Sequence, residues 1–461
     1  MPILRLRKGL ALLSLAAACS CGRSTDLGES ADAGTGATGP GGNGSGATGG
    51  SAGGEEALGT RFWEDVEGEP ACPTVGVPDK SGRPTDVPPT DEATLYLVMN
   101  YLNVGNIDLD SKLDGDAWKG IGFNLDKSCN RASWPEGVLD DAQVDACPGL
   151  KEQTCTNSIQ NVFDGEFCRD NAMGQVFSML SLSPDVGEPF RMTGEDWNCA
   201  LRQGSMSMVF KVSGYNGEPD DSAVRLDLYS SVGLDVPADW NCRDGETNAS
   251  ALKPKWRDRL EPSVTRTYHV AKRDIRIGAA DVPGGLPESN WSDTTAYVRS
   301  GWLIAELPDS TEFWLNGLNA QTPGLRMLLT KPVIAARIHQ AKSGGWEFSE
   351  ATLGATVTRN AVETSLRELG LCENLCDSFT STLSYLEQSY DMSSTPNASG
   401  AACDTLSFGM QFSAKQYYAF DLVDVPDPPD VSAPGLCGSP RNPDVPPPGC
   451  ECQPQGGCTP P

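Results

Sequence analysis

The chain has 461 residues, with 62 Asp and Glu against 35 Lys and Arg for a formal net charge of -27, and it carries 16 Cys, 50 Gly, 34 Pro and two His. That length suits two ordinary domains or one large β domain. The acidic excess excludes nucleic acid as the main partner, because phosphate binding needs a basic face, and the cysteines belong in an oxidising compartment as disulfides.

Residues 1–18 read as an export signal. Arg5, Arg7 and Lys8 are followed by an apolar run from Gly9 to Ala18, which is too short to span a bilayer as a helix. The run ends in Ala16-Ala17-Ala18-Cys19. Small residues directly before a cysteine resemble the lipobox of bacterial lipoproteins, although Ala16 stands where the lipobox usually has Leu. The resemblance covers about the first 20 residues and implies that Cys19 becomes the acylated first residue of the mature chain, with Cys21 as a second candidate. An ordinary cleaved signal with a soluble product is the alternative. Lipidation implies attachment to a membrane of the bacterial cell envelope, at the outer membrane or cell surface, since two or more acyl chains hold a protein stably. Residues 19–59 then form a tether. Between Gly34 and Gly54 there are 11 Gly in 21 residues and nothing apolar larger than Ala, so this stretch cannot join a core and acts as a flexible spacer.

Strand patterns dominate the body, which divides into residues 60–250 and 262–425 at a Lys- and Arg-bearing break, unless that break is a loop within one continuous body. Thr94–Leu102 and Trp118–Leu125 are strand candidates. Asn171–Leu180 is a short helix candidate. Ser205–Val212 places Met206, Met208, Phe210 and Val212 on one side, and Val224–Leu228 alternates likewise across a polar Gly-Tyr-Asn-Gly-Glu-Pro-Asp-Asp stretch. That pattern predicts a hairpin with one buried and one wet face. Tyr297–Leu307, Arg326–Ile338 and Leu406–Phe412 are further strands. A helix pair is predicted over 360–390, with Asn360 as cap and Glu363 completing a capping box. Many strands with few helices predict a mainly β, sandwich-like fold of two sheets or two β domains. From Pro426 onward there are 12 Pro in 36 residues and four Cys, which predicts a tail without regular structure, held by bridges.

Asp108, Asp110, Asp114 and Asp116, then Asp126, Asp164, Asp170 and Asn171, concentrate oxygen ligands of the kind calcium takes six to eight of. The Asp164-Gly165…Asp170-Asn171 stretch resembles calcium loops of secreted repeat modules, and calcium is the one cofactor the residues suggest. The 106–116 segment is not an EF-hand, because its sixth place is Ser111 and no Glu closes it. In so acidic a chain such clusters also arise as solvated loops. No Gly-x-Ser-x-Gly elbow or His-Glu-x-x-His motif is present, although a Ser/His/Asp triad is geometric and can assemble from distant residues. Trp291, Trp302, Trp314 and Trp346 are candidates for stacking on sugars if exposed, and for the core if not.

The disulfide candidates are Cys72, Cys147, Cys155, Cys168, Cys199, Cys242, Cys372, Cys376 and Cys403. The echo of Asp196-Trp197-Asn198-Cys199 in Asp239-Trp240-Asn241-Cys242, on either side of the hairpin, suggests a Cys199–Cys242 bridge. Cys372 and Cys376 suggest a staple between helices, with Cys403 as third party. Setting Cys19 and Cys21 aside, seven cysteines lie between Cys72 and Cys242 and seven between Cys372 and Cys458. Both sets are odd, so full pairing demands a bridge across the halves, with Cys72 to a tail cysteine as the natural candidate. The body resembles uncharacterised cysteine-containing secreted bacterial lipoproteins, a likeness that brings no activity with it. The functional expectation is therefore a lipid-anchored binding or structural module for a glycan or protein partner; the alternative is a secreted hydrolase acting on polysaccharide or peptide.

Overall fold

The computed structural model describes residues 61–63, 74–85, 87, 93–108, 113–129, 155, 163–182, 197–198, 200–201, 204–234, 266–315, 325–342, 344–368, 386–395, 401–425, 451–453 and 457–459. All of them belong to one compact unit, Ser51–Pro461.

Its centre is a closed barrel of eight antiparallel strands. In chain order the strands are β1 (Ala93–Asn103), β2 (Ser207–Tyr215), β3 (Asp221–Leu234), β4 (Tyr268–Ala271), β5 (Trp291–Arg299), β6 (Trp302–Glu306), β7 (Thr311–Leu315), β8 (Leu325–Gln340), β9 (Trp346–Thr358), β10 (Thr405–Gln416) and β11 (Phe420–Val423). The barrel runs β3-β2-β1-β10-β9-β8-β6-β5 and closes where β5 pairs with β3. The length of β3 makes this possible. One edge runs along β2, while the other is shared: Asp221 to Leu228 pair with β5, and Ser231 to Leu234 pair with β4. A parallel β4–β11 pair extends the sheet beyond the barrel, and β7 pairs with the first half of β8.

The expected sandwich is thus a barrel. Period-2 alternation buries one face of each strand in either architecture, so it does not distinguish them. Strands from both sides of the 250–262 stretch build the same closed sheet. The predicted hairpin is β2–β3, with Phe210 opposite Leu228 and Lys211 opposite Asp227, but its expected wet face is covered as well, since Val209, Lys211 and Asp227 are buried too. Phe210, Leu228, Leu97, Met99, Ile334, Leu353, Phe408 and Met410 belong to the main core and are nearly or wholly buried. Phe210 stacks on Phe412 with centroids 5.0 Å apart and meets Phe348 edge-on at 5.7 Å. An eight-stranded barrel is just wide enough to be filled by its own side chains, as here. The apolar set faces inward, the reverse of a membrane-spanning barrel, whose apolar band faces lipid.

Two parts of the outer wall are covered. Phe62, Trp63, Val75 and Val77 pack with Tyr297, Trp302, Ile304 and Val333, and Trp63 meets Trp302 edge-on at 5.2 Å. On another side Tyr229, Tyr268, Val270, Leu286 and Tyr417 form a satellite cluster over Val98 and Val209.

Several expectations change locally. Trp118–Leu125 is not a strand but a 3-10 turn, Ala117–Gly120, followed by extended chain. Tyr297–Leu307 splits into β5 and β6 at Ser300 and Gly301, both at positive φ. The helix predicted at 171–180 is α1 (Ala172–Leu182), and the first of the predicted pair is α2 (Arg359–Glu368). At α2 the Thr358 hydroxyl accepts the Ala361 N–H at 3.3 Å, while Glu363 pairs with Arg359, so the expected Asn360 capping box is not the one used. Most of the second helix of that pair lies outside the described residues. The tail, expected to lack regular structure, contains a hairpin of β12 (Glu451–Gln453) and β13 (Gly457–Thr459).

Candidate functional site: a buried carboxylate cluster

The strongest polar constellation lies against the outer face of β9 and β10. Gly354 and Gly409 are direct cross-strand partners there. A Cβ on Gly354 would lie 2.5 Å from the Phe123 ring, and one on Gly409 would lie 2.9 Å from Gly122 Cα and 3.0 Å from the Ile121 carbonyl oxygen. The paired glycines open a slot in the wall, and the 121–123 chain sits in it. Asn171 fastens the seat: its Oδ1 accepts N–H bonds from Gly409 at 2.8 Å and from Gly174 at 3.0 Å, capping α1. Because a Cβ at position 409 meets backbone atoms, a Gly409→Ala variant is expected to lose on the order of 1–3 kcal/mol of stability, read as a lower urea midpoint. An unchanged midpoint would contradict this seat.

Beside the slot lies Asp170, on which Asp126, Asp164 and Asp391 act through their charge. Asp164, Asp170 and Asp391 are buried at 6%, 3% and 7% exposure. Asp170 Oδ2 accepts the N–H of Leu125 at 2.6 Å and of Asp126 at 3.2 Å. Asp391 accepts the Ser407 N–H at 2.8 Å and the Ser407 hydroxyl at 2.5 Å, and that hydroxyl in turn accepts the Ala172 N–H at 2.8 Å. Burial, then the fields of Asp126, Asp164 and Asp391, push the Asp170 carboxyl well above the ordinary range. Burial raises Asp391 to about 7, against the opposing Ser407 hydrogen bonds. These are carboxyl groups that disfavour one another's charge in a dry site. In the same stretch Asn124, 4% exposed, has a buried Oδ1 with no hydrogen-bond partner.

Two disulfides bracket the cluster. Cys129–Cys168 joins the segments that carry Asp126 and Asp170, and Cys155–Cys403 joins residues 248 apart, with Cys155 Sγ lying 3.2 Å from the Asp391 carbonyl oxygen. The second bridge crosses the halves, as the odd cysteine counts demanded. It also corrects the expected grouping of Cys403 with Cys372 and Cys376, since Cys403 belongs to Cys155. Phe167 and Cys168 are both at positive φ, a conformation that costs non-glycine residues energy and that the surrounding structure must hold.

The expected calcium residues therefore separate into two groups. Asp126 and Asp164 act on the Asp170 carboxyl through their charge. Asp114 and Asp116 do not join them: Asp114 Oδ1 accepts the Asp116 N–H, and Asp116 pairs with Lys119 at 2.7 Å. That loop is organised by turn chemistry. Asn171 is committed to backbone N–H groups. Asp108 is not among the groups influencing Asp170 most, and Asp110 lies outside the described residues, as do Cys72, Cys147, Cys199, Cys242, Cys372 and Cys376. Among the described residues no three His, Cys, Asp or Glu side chains are gathered in a metal-holding arrangement. Asp391 and Cys129 were missed. Asp391 is a single acid between Tyr and Met, with no local signal, and Cys129 has only its position beside Asp126.

A contrasting constellation on the barrel wall is charge-balanced. Arg225 donates to both oxygens of the buried Asp227 at 2.7 and 2.8 Å and pairs with Glu288 at 3.2 Å, while Lys211 Nζ donates to the Leu286 carbonyl at 2.8 Å. No protein-family model matches the chain, and no curated protein and no solved structure is significantly similar to it.

The other catalytic candidates stand as follows. His339 Nε2 lies 3.0 Å from Glu347 and its Nδ1 lies 3.5 Å from the Ser349 hydroxyl. His269 lies in β4, opposite Gly233 of β3. None of Trp291, Trp302, Trp314 and Trp346 is exposed. Trp346 meets Tyr215 edge-on at 5.2 Å, and the Arg273 guanidinium lies 4.3 Å from the Trp314 ring centroid. Trp302 is buried, and Trp291, Trp314 and Trp346 are half-buried.

Proposed function

We infer that this protein is a lipid-anchored module of the bacterial cell envelope, serving in binding or structure, whose barrel carries a calcium site that fastens the loops on its outer wall. Cys19 supplies the anchor, residues 19–59 the tether, and the barrel the presented body; a glycan or a protein is the partner class. The observation that carries the calcium reading is the buried Asp170 carboxyl, which burial and the fields of Asp126, Asp164 and Asp391 set against its own charge, in a stretch held by two disulfides. Such a cluster at neutral pH needs either protons or a cation. Calcium suits it, because carboxylate and amide oxygens are its ligands. Asp164, Asp170, the unpartnered Asn124 oxygen and Asp126, whose carboxylate also accepts from Ser128, are its candidate ligands. The burial of Asp164, Asp170 and Asp391 speaks for a structural rather than a catalytic role. Titrating calcium into the intact protein at pH 7.5 is expected to show one saturable binding event that Asp170→Asn weakens. Absence of binding heat in both would overturn the reading. For the anchor, a Cys19→Ala variant is expected in the soluble fraction, and its retention with membranes would refute lipidation at that residue.

A second reading, the secreted hydrolase, is favoured by one arrangement: Ser349, His339 and Glu347 stand in the order of a nucleophile, base and orienting acid. His339 and Glu347 are cross-strand partners, so a surface ion pair explains their contact without catalysis. A fluorophosphonate probe is expected to leave Ser349 unlabelled; labelling lost in His339→Ala would support the hydrolase instead.

A further inference from the structure

The tail hairpin carries an inference independent of the calcium reading. β12 and β13 are joined by Pro454-Gln455-Gly456, and their register sets Glu451 opposite Thr459, Cys452 opposite Cys458 and Gln453 opposite Gly457. Directly opposed residues in an antiparallel pair have Cα atoms about 4.5 Å or about 5.5 Å apart, depending on the hydrogen-bonding position. Both values fall within the span of about 4.4–6.8 Å that a disulfide bridges. We propose that Cys452 and Cys458 form a cross-strand disulfide that closes the tail into a self-contained clasp.

The cysteine inventory fits it. Once Cys129–Cys168 and Cys155–Cys403 are set aside, four cysteines remain between Cys72 and Cys242 and six between Cys372 and Cys458. A bridge within the tail leaves both sets even. Since Cys155–Cys403 already crosses the halves, the counts no longer require a Cys72-to-tail bridge. Because the partners are six positions apart along one hairpin, the bridge forms locally, without the barrel. The chemistry is thiol–disulfide exchange with an oxidised dithiol donor of the export compartment. The two cysteine thiols lose two electrons and two protons as the S–S bond forms, and the donor's two sulfurs leave as thiols.

Peptide mapping of the full chain, purified without reductant and blocked with iodoacetamide, tests this. Cleavage after Arg441 releases residues 442–461 with Cys450, Cys452 and Cys458. In a Cys450→Ala variant this peptide is expected two hydrogens light and unalkylated, gaining two alkyl groups only after reduction. In the unsubstituted chain the Cys452–Cys458 link is expected with Cys450 outside it. Two alkylated thiols without reduction, or either cysteine linked to another residue, would overturn the proposal.

Discussion

Replacing Cys155 and Cys403 together by serine is expected to lower the free energy of unfolding by about 5 kcal/mol, against about 4 kcal/mol for replacing Cys129 and Cys168. The difference follows from the loops the bridges close, 248 and 39 residues apart in sequence. A longer loop removes more conformational freedom from the unfolded chain. The first bridge encloses β2 to β9, so its loss frees most of the barrel's connectivity in the unfolded ensemble. It also releases the chain at Asp391, whose carbonyl oxygen lies against Cys155 Sγ. The Cys155–Cys403 variant is therefore expected to lose part of the Asp391 perturbation as well. Urea unfolding of both double variants checks the order; a larger loss for the 129–168 pair would contradict this account.

The second large effect is a dependence on pH. In the folded chain Asp391 titrates at about 7, whereas an unfolded Asp titrates near 3.9. Between those values the folded state holds a proton that the unfolded state has released. Stability from this group is present at pH 4 and is lost as pH rises through 7, a change of about 4 kcal/mol. Asp170 is raised as well and acts in the same sense. Without calcium, the protein is expected to be less stable at pH 8 than near pH 5. An Asp391→Asn variant keeps an oxygen for the Ser407 N–H, removes the charge and is expected to flatten that fall. Equal pH dependence of the two proteins in chelator would show that Asp391 is not held protonated.

Much of the barrel wall was legible in the chain. The alternation of Met208, Phe210 and Val212 marks the inward face of β2, and Leu406, Phe408, Met410 and Phe412 that of β10; that the opposite face is also covered, with Val209 under the satellite cluster, was not legible. Closure was not legible, because it depends on β3 dividing one edge between β4 and β5, a pairing across more than sixty residues that no local pattern records. The Trp197-Asn198 half of the repeated tetrapeptide has a tertiary role. Asn198 exchanges two hydrogen bonds with the backbone of Leu102 in β1, and Trp197 packs edge-on against Phe177 of α1. The site was half legible. Asp126, Asp164 and Asp170 stood out as acids in clusters, but so did Asp114 and Asp116, and only tertiary placement separates buried acids from solvated ones. Gly354 and Gly409 were the missed signal: lone glycines inside apolar strands mark places where another chain segment comes close.

The central claim is that the carboxylate cluster is a cation site that fastens the loops on the barrel wall. Calorimetric melting of the intact protein at pH 7.5, in excess calcium and in EGTA, tests it most directly. At a calcium concentration about a hundred times the dissociation constant, binding adds about 2.7 kcal/mol to the folded state, which raises Tm on the order of 5 °C. The account predicts that rise in the native chain and its loss in Asp170→Asn. Superimposable melting curves with calcium and with EGTA in the native chain would contradict it.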